Sequence, residues 1–261
     1  MIHTVTADDG FYFGLGLFET IHVKKKQMLL ERYHKERLLS SMEELKICTG
    51  EQAEPAWNRI RSDAVKTMES YAEEHPDEED FVLKICVTPA NILTDARPYT
   101  YKIADFIKGF DLRISPIIRN ESSSLVHMKT MNYGDNILEK RRAHSEGFDE
   151  PLFLNSKGYV AEGATTNLFA VLDGKLITPS LKSGILPGTM RRFVMEHFDV
   201  QECSITTEML YRSMELFVTN ALLGIMPVTN FQGKVYAVGK VTKEITNFYE
   251  KMQVSSTENR T

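Results

Sequence analysis

The chain has 261 residues, 42% of them hydrophobic and 26% charged, and a formal charge of −5. That length predicts about two domains rather than one small core, and the acidic balance without a basic face argues against nucleic acid as a partner. Three scattered cysteines, Cys48, Cys86 and Cys203, show no CxxC spacing and so predict neither a disulfide framework nor a bound metal.

The opening stretch Met1-Ile2-His3-Thr4-Val5 has no basic or apolar targeting pattern, and no later run approaches a membrane span. A cytoplasmic protein with no membrane partner is expected. Phe18–Val23 and Met28–Leu30 flank Lys24-Lys25-Lys26-Gln27, which predicts a hairpin. Over 34–46, Leu38, Leu39, Met42 and Leu45 recur at helical spacing, and Ala53, Trp57, Ile60, Ala64 and Tyr71 carry the same period through a longer second helix. An acidic run over 73–80, broken by Pro76, reads as a solvated connection to a buried strand at 81–87. A further strand is expected at 111–118.

Arg119-Asn120-Glu121-Ser122-Ser123-Ser124 is polar and serine-rich, which makes 119–124 the expected linker between domains spanning 1–118 and 125–261. Beyond it, the pattern predicts a helix at 136–145 and strands at 151–155, 159–162 and 167–172. The last turns at Asp173-Gly174 into 175–178, the clearest hairpin signal in the chain. A helix at 187–197, a strand at 215–220 and a terminal helix at 241–252 complete a mixed fold with α/β and α+β character.

Lys129 follows the apolar pair Leu125-Val126 and precedes Thr130, Asn132 and Tyr133. This reads as a strand end entering a pocket, where desolvation disfavours an ammonium; Tyr133 could bond a ligand there or simply pack. Most lysines are surface solubilisers, so Lys129 gains meaning only from its company. Glu162 ends an otherwise small and apolar segment, and a buried acid needs a cationic partner. A protonated pyridine nitrogen weighs equally with the plainer readings, an ion pair with an arginine or a capping carboxylate. The adjacent Gly163–Thr166 stretch, with Thr165 and Thr166, offers amide and hydroxyl donors.

Leu186-Pro187-Gly188-Thr189-Met190 opens the helix over 187–197, and the free amides of such an end make a phosphate seat. Plain capping by Thr189 would look the same. Arg37 lies one turn into its helix, either bonding a phosphate or facing water, and Arg97 in Asp95-Ala96-Arg97-Pro98-Tyr99 is a substrate-carboxylate candidate or a surface loop cation. Gly14-Leu15-Gly16-Leu17-Phe18-Glu19 is similar to a dinucleotide loop, but glutamate replaces the third glycine, and that reading is rejected. No HExxH or GxSxG motif occurs. A lysine, a carboxylate and a phosphate-sized turn, in that order, are the parts that hold pyridoxal 5'-phosphate.

Together these segments resemble the class IV aminotransferases, the fold-type IV pyridoxal phosphate enzymes, which include branched-chain and D-amino acid aminotransferases and 4-amino-4-deoxychorismate lyase. The resemblance runs from Gly10–Thr20 to Phe217–Val228. It implies a two-domain fold whose C-terminal pseudo-barrel domain carries the lysine, a pyridoxal phosphate cofactor, a small-molecule amino substrate and a homodimer. It makes Lys129 the Schiff-base lysine, Glu162 the acid on the ring nitrogen, and Arg37 the phosphate arginine. Tyr133, Thr165, Thr166, Asn167, Leu186, Gly188, Thr189, Met190, Asn220 and Ala221 join the cofactor-binding set.

Met190 stands where the aminotransferases usually have threonine, and Ala221 where many have a phosphate-binding threonine. With Lys129-Thr130-Met131-Asn132-Tyr133, these departures lean toward the lyase. That enzyme converts 4-amino-4-deoxychorismate to 4-aminobenzoate and pyruvate in the folate branch. The alternative is an aminotransferase using branched-chain or D-amino acids with a 2-oxo acid. A catalytically idle cofactor-binding homologue is a remote third reading.

Overall fold

In the computed structural model, which describes residues 4–258, the chain forms two compact units. One comprises the residues up to Thr100 together with Met128–Tyr133; the other comprises Tyr101–His127 and the chain from Gly134 onward. Residues 1–3 of the N-terminal stretch assessed above for a targeting signal lie outside the described residues.

The first unit begins with a short helix, α1 (Asp9–Phe13), ended by Gly14 at φ 68°. The glycine-rich segment thus follows a helix and leads into a strand, the reverse of a dinucleotide loop. Strands β1 (Leu17–Lys24), β2 (Gln27–Met28), β3 (Asp80–Val87) and β4 (Ile92–Pro98) form an antiparallel sheet in the order β2-β1-β3-β4. Lys25 and Lys26 adopt φ of 48° and 61°, the primed geometry that lets two turn residues follow strand twist. Helices α2 (Glu31–Glu44) and α3 (Ala53–Glu74) cover one face. The reason is periodic: α3 buries Trp57, Ile60, Ala64, Met68 and Tyr71, while Ile21 and Val23 of β1 and Leu83, Ile85 and Val87 of β3 meet them in one core. Each large side chain buried there stabilises by about 1.5–3 kcal/mol. The even-numbered residues of β1 and β3 therefore line the opposite face.

The second unit adds α4 (Ile103–Lys108), β5 (Phe110–Arg119), α5 (Gly134–Ser145), β6 (Glu150–Asn155), β7 (Val160–Gly163), β8 (Asn167–Leu172), β9 (Lys175–Pro179) and α6 (Thr189–His197). Next come β10 (Val200–Cys203), α7 (Thr207–Arg212), β11 (Glu215–Asn220), β12 (Gly224–Phe231), β13 (Lys234–Val235) and α8 (Lys240–Glu258). Its strands run β10-β9-β8-β11-β12-β5-β6-β7, with β13 beside β12. Strand β7 also lies against β8, and Gly163 N–H donates to Thr166 O at 2.8 Å, so the sheet curls toward itself. The β8–β9 turn is Asp173-Gly174 at φ 50° and 76°, as the sequence predicts. Among the described residues no helix is long and apolar enough to cross a membrane.

The division differs from the expected linker at 119–124. Strand β5 pairs in parallel with β6 and β12, which places 110–119 in the second unit and moves the division to Thr100/Tyr101. Residues 120–124 stay with that unit, where Ser156 N–H and Oγ–H donate to the Glu121 carboxylate. Lys129 is not carried by the C-terminal domain. Its segment returns to the edge of β1, where Phe18 N–H donates to Lys129 O at 2.9 Å and Met131 N–H to Gly16 O at 2.8 Å.

Candidate active site

Lys129 lies in an extended, irregular stretch after turns at 124–127 rather than at a strand end. Its Nζ sits 4.4 Å from the centroid of the Phe18 ring and 4.8 Å from that of Tyr133. The two rings meet edge to face at 5.2 Å. A half-buried ammonium over two ring faces is held electrostatically, by about 0.5–2 kcal/mol. Tyr133 therefore serves as an aromatic floor under the amine.

Arg37 does not face water. Its Nε donates to Glu19 Oε1 at 2.8 Å and its Nη2 to Oε2 at 2.5 Å, a bidentate fork that fixes the guanidinium plane. His34, one turn earlier on α2, bonds the same carboxylate through Nδ1 at 2.7 Å. Burial pushes the Glu19 carboxyl up, but Arg37 and His34 override it and hold the group down at about 2. Facing an ionised, acceptor-only carboxylate, His34 carries its proton on Nδ1. Burial keeps the imidazole below its usual range, with Glu19 opposing and the charges of Arg37 and Lys129 reinforcing.

The sheet face opposite the helices carries two more cations. Lys84 on β3 pairs with Thr20 and Asp95, and its Nζ lies 4.9 Å from the same Phe18 ring that floors Lys129. Arg97 is on the edge strand β4, opposite Val82, not in a loop. It is exposed, and its register puts it on the Lys84 face.

In the second unit, Glu162 is the penultimate residue of the buried strand β7. Leu186 N–H and Asn167 Nδ2 donate to its Oε2 at 3.0 and 3.2 Å, and Arg119 Nη2 stands 3.4 Å from Oε1. An arginine, one of the partners the sequence predicts, is thus present. Asn167 Nδ2 also donates to Leu186 O at 2.9 Å, and an added Cβ at Gly188 would collide with Asn167 Oδ1. One asparagine therefore locks the acid to the turn that opens α6. Thr189 and Met190 stand in the first turn of α6, and Met190 is fully buried. Only its backbone amide can meet an anion, one of the unpaired donors of a helix start.

Thr165 and Thr166 turn their hydroxyls to the buried Glu150, each at 3.1 Å, and Thr165 N–H donates to the same oxygen at 2.6 Å. Lys140 pairs with Glu150 at 3.1 Å. These threonine side chains hold the loop in shape. Asn220 continues the lattice: its Nδ2 donates to Thr165 O at 3.1 Å, and its Oδ1 accepts from the amides of Leu222 and Leu223 at 2.9 and 2.7 Å. Ala221 sits in the turn so made.

Sequence reasoning overlooked Glu19, Lys84, Arg119 and Glu150. Glu19 had a signal: it interrupts the inward-facing set Leu17, Ile21, Val23, and a carboxylate on a buried strand face demands partners. Taken by itself, the first unit holds an amine over aromatic rings and a preorganised arginine; the second, by itself, holds a buried carboxylate and the start of α6. Each set is made of the donor types that pyridoxal phosphate takes.

The profile of the family described as amino-transferase class IV matches residues 16–231. A probable branched-chain-amino-acid aminotransferase of Aquifex aeolicus is 28% identical over 265 residues, covering 92% of this chain and 84% of that protein. The aminodeoxychorismate lyase of Bacillus subtilis is 26% identical over 261 residues, covering 94% and 87%. The crystal structure of the 4-amino-4-deoxychorismate lyase from Pseudomonas aeruginosa superposes with a TM-score of 0.81 at 23% identity, covering 96% of each chain, and so shares the fold. This chain belongs to the class IV aminotransferase family and is an enzyme whose cofactor is pyridoxal 5'-phosphate.

Proposed function

We propose that the enzyme converts 4-amino-4-deoxychorismate to 4-aminobenzoate and pyruvate. The observation that carries this reading is the pair of cations, Lys84 and Arg97, on the face that holds Lys129. Aminodeoxychorismate bears two carboxylates, each of which seeks a charge-assisted donor. A branched-chain amino acid bears one carboxylate and an aliphatic group, so in an aminotransferase a second cation would serve only a dicarboxylate acceptor such as 2-oxoglutarate.

Lys129 would hold the cofactor through Nζ and, once its amine is free, would take the proton from the amine-bearing carbon of the substrate. Pyridoxal phosphate supplies an electron sink for the charge that develops there. Glu162, kept in place by Asn167 and Leu186, would pair with the ring nitrogen, and Arg37, fixed by Glu19, and the first amides of α6 would hold the phosphate. Lys84 and Arg97 orient the carboxylates so that the adjacent carbon–oxygen bond breaks. The departing enolpyruvate takes a proton back from Lys129, and aromatisation of the ring drives the step.

Met190 and Ala221 support the same reading. In an aminotransferase, Lys129 has no covalent hold on the cofactor for half of each cycle, so the phosphate seat alone must retain it. A seat without two hydroxyls suits a reaction that needs no such stage. The second reading, a branched-chain or D-amino acid aminotransferase, is favoured by the relative from Aquifex aeolicus. Incubation with aminodeoxychorismate and no 2-oxo acid separates the two. Pyruvate and 4-aminobenzoate are expected; glutamate formed only from amino acids plus 2-oxoglutarate would overturn the proposal.

We infer further that the enzyme works in the cytoplasm, in the folate branch, as a homodimer. Exposed Ile103, Ile107, Ile118 and Leu138 in the second unit support burial by another copy, and light scattering after size exclusion tests it.

A further inference from the structure

Two of the arginine–carboxylate pairs among the described residues are built in different ways. Arg37 grips Glu19 with a fork at 2.8 and 2.5 Å. Arg119 does not grip Glu162: its Nη2 stands 3.4 Å from Oε1, and Nε and Nη2 are buried without a hydrogen bond. What holds the Arg119 guanidinium lies elsewhere. Its Nη1 donates to Asn136 Oδ1 at 3.1 Å, and the guanidinium carbon sits 4.3 Å from the centroid of the Phe153 ring. Asn136 is fixed in turn, its Nδ2 donating to Ala164 O at 2.7 Å, two residues beyond Glu162. The arrangement costs two buried donors and brings a positive charge beside the carboxylate without a hydrogen bond from the guanidinium to it.

Resting on the role proposed for Glu162, we propose that Arg119 is a positioning residue that acts through that carboxylate. Its charge keeps Glu162 ionised in a buried site, so that the proton shared with the cofactor's ring nitrogen stays on nitrogen, and Asn136 sets the distance at which it acts. Burial alone pushes a carboxylate toward its neutral form, and a neutral Glu162 cannot pair with a protonated ring. A gripping arginine would have the opposite fault, competing with the ring for the same oxygen. A guanidinium carried by Asn136 and Phe153 avoids both.

The test uses holoenzyme loaded with pyridoxal phosphate labelled with 15N in the ring, at pH 7.5. The nitrogen chemical shift is compared in wild type, Arg119→Met, Arg119→Lys, Asn136→Ala and Glu162→Gln, alongside the melting temperature of each apoprotein. Wild type is expected near the protonated limit. Glu162→Gln should move the resonance toward unprotonated pyridine, Arg119→Met by at least half as much, and Asn136→Ala part of the way, while Arg119→Lys restores most of the wild-type value. If Glu162→Gln moves the resonance and neither Arg119→Met nor Asn136→Ala does, the role of Arg119 is refuted while that of Glu162 stands. If Glu162→Gln leaves the resonance in place, the Glu162 reading itself fails. Should Arg119→Met not fold, Asn136→Ala and Arg119→Lys decide: equal losses of melting temperature with no nitrogen displacement in Asn136→Ala mark a purely structural arginine.

Discussion

Replacing Glu19 by glutamine should destabilise the first unit by about 3 kcal/mol. The carboxyl titrates near 2 in the folded chain against 4.5 for the free group, and about 1.4 kcal/mol per pH unit converts that difference to about 3 kcal/mol. An independent argument agrees: removing one member of a buried pair strands the other, here Arg37, at a cost of about 3–5 kcal/mol. The chain's single tryptophan, Trp57, is buried in the core of the same unit, so its fluorescence during urea unfolding of the apoprotein reads the relevant transition. Because the folded value is depressed, the Glu19 contribution is complete above pH 4.5 and is lost as pH falls toward 2. His34 adds a limb of its own. Its folded value is also depressed, so the unfolded chain takes up a proton first and stability starts to fall below about 6.5. Wild type should show both limbs; Glu19→Gln should keep the first and lose the second, so that the gap between the proteins closes as pH falls from 4.5 toward 2. A variant within about 1 kcal/mol of wild type at pH 7.5, or a gap that persists to pH 2, would refute the reasoning.

Lys129→Ala should abolish turnover and remove the borohydride-fixed cofactor label from the peptide containing residue 129, checked by mass spectrometry. Gly188→Ala places a Cβ against Asn167 Oδ1 and should raise the cofactor dissociation constant about tenfold, the equivalent of about 1.4 kcal/mol. Circular dichroism of that apoprotein should match wild type. Lys84→Gln and Arg97→Gln should each lower kcat/KM for aminodeoxychorismate by about 10–100-fold, the range for one charge-assisted hydrogen bond, and leave cofactor affinity unchanged in an absorbance titration.

What the sequence disclosed was whatever repeats over a short span. Helix α3 was legible because Ala53, Trp57, Ile60, Ala64 and Tyr71 keep one period for about five turns, and the β8–β9 hairpin because Asp173-Gly174 fits only one kind of turn. Strand β4 was not, since Asp95, Arg97 and Pro98 carry no apolar alternation and its place is set by pairing with β3. The domain boundary failed for the same reason: β5 takes its partners from β6 and β12, and Met128–Tyr133 takes its own from β1. The same limit governs the site. Lys129, Glu162 and the Gly188 turn stood out because small and apolar neighbours isolate them in the chain. Arg119 was absorbed into a polar linker, and Glu19 into a glycine-rich motif. As letters, Arg37 with Glu19 and Arg119 with Glu162 are the same pair. They differ only in what carries the guanidinium: in one the carboxylate itself, in the other an asparagine and a phenylalanine ring. The first arrangement saturates the acid and builds structure, whereas in the second the arginine stands 3.4 Å from the acid without a hydrogen bond to it, and that distinction is a matter of geometry alone.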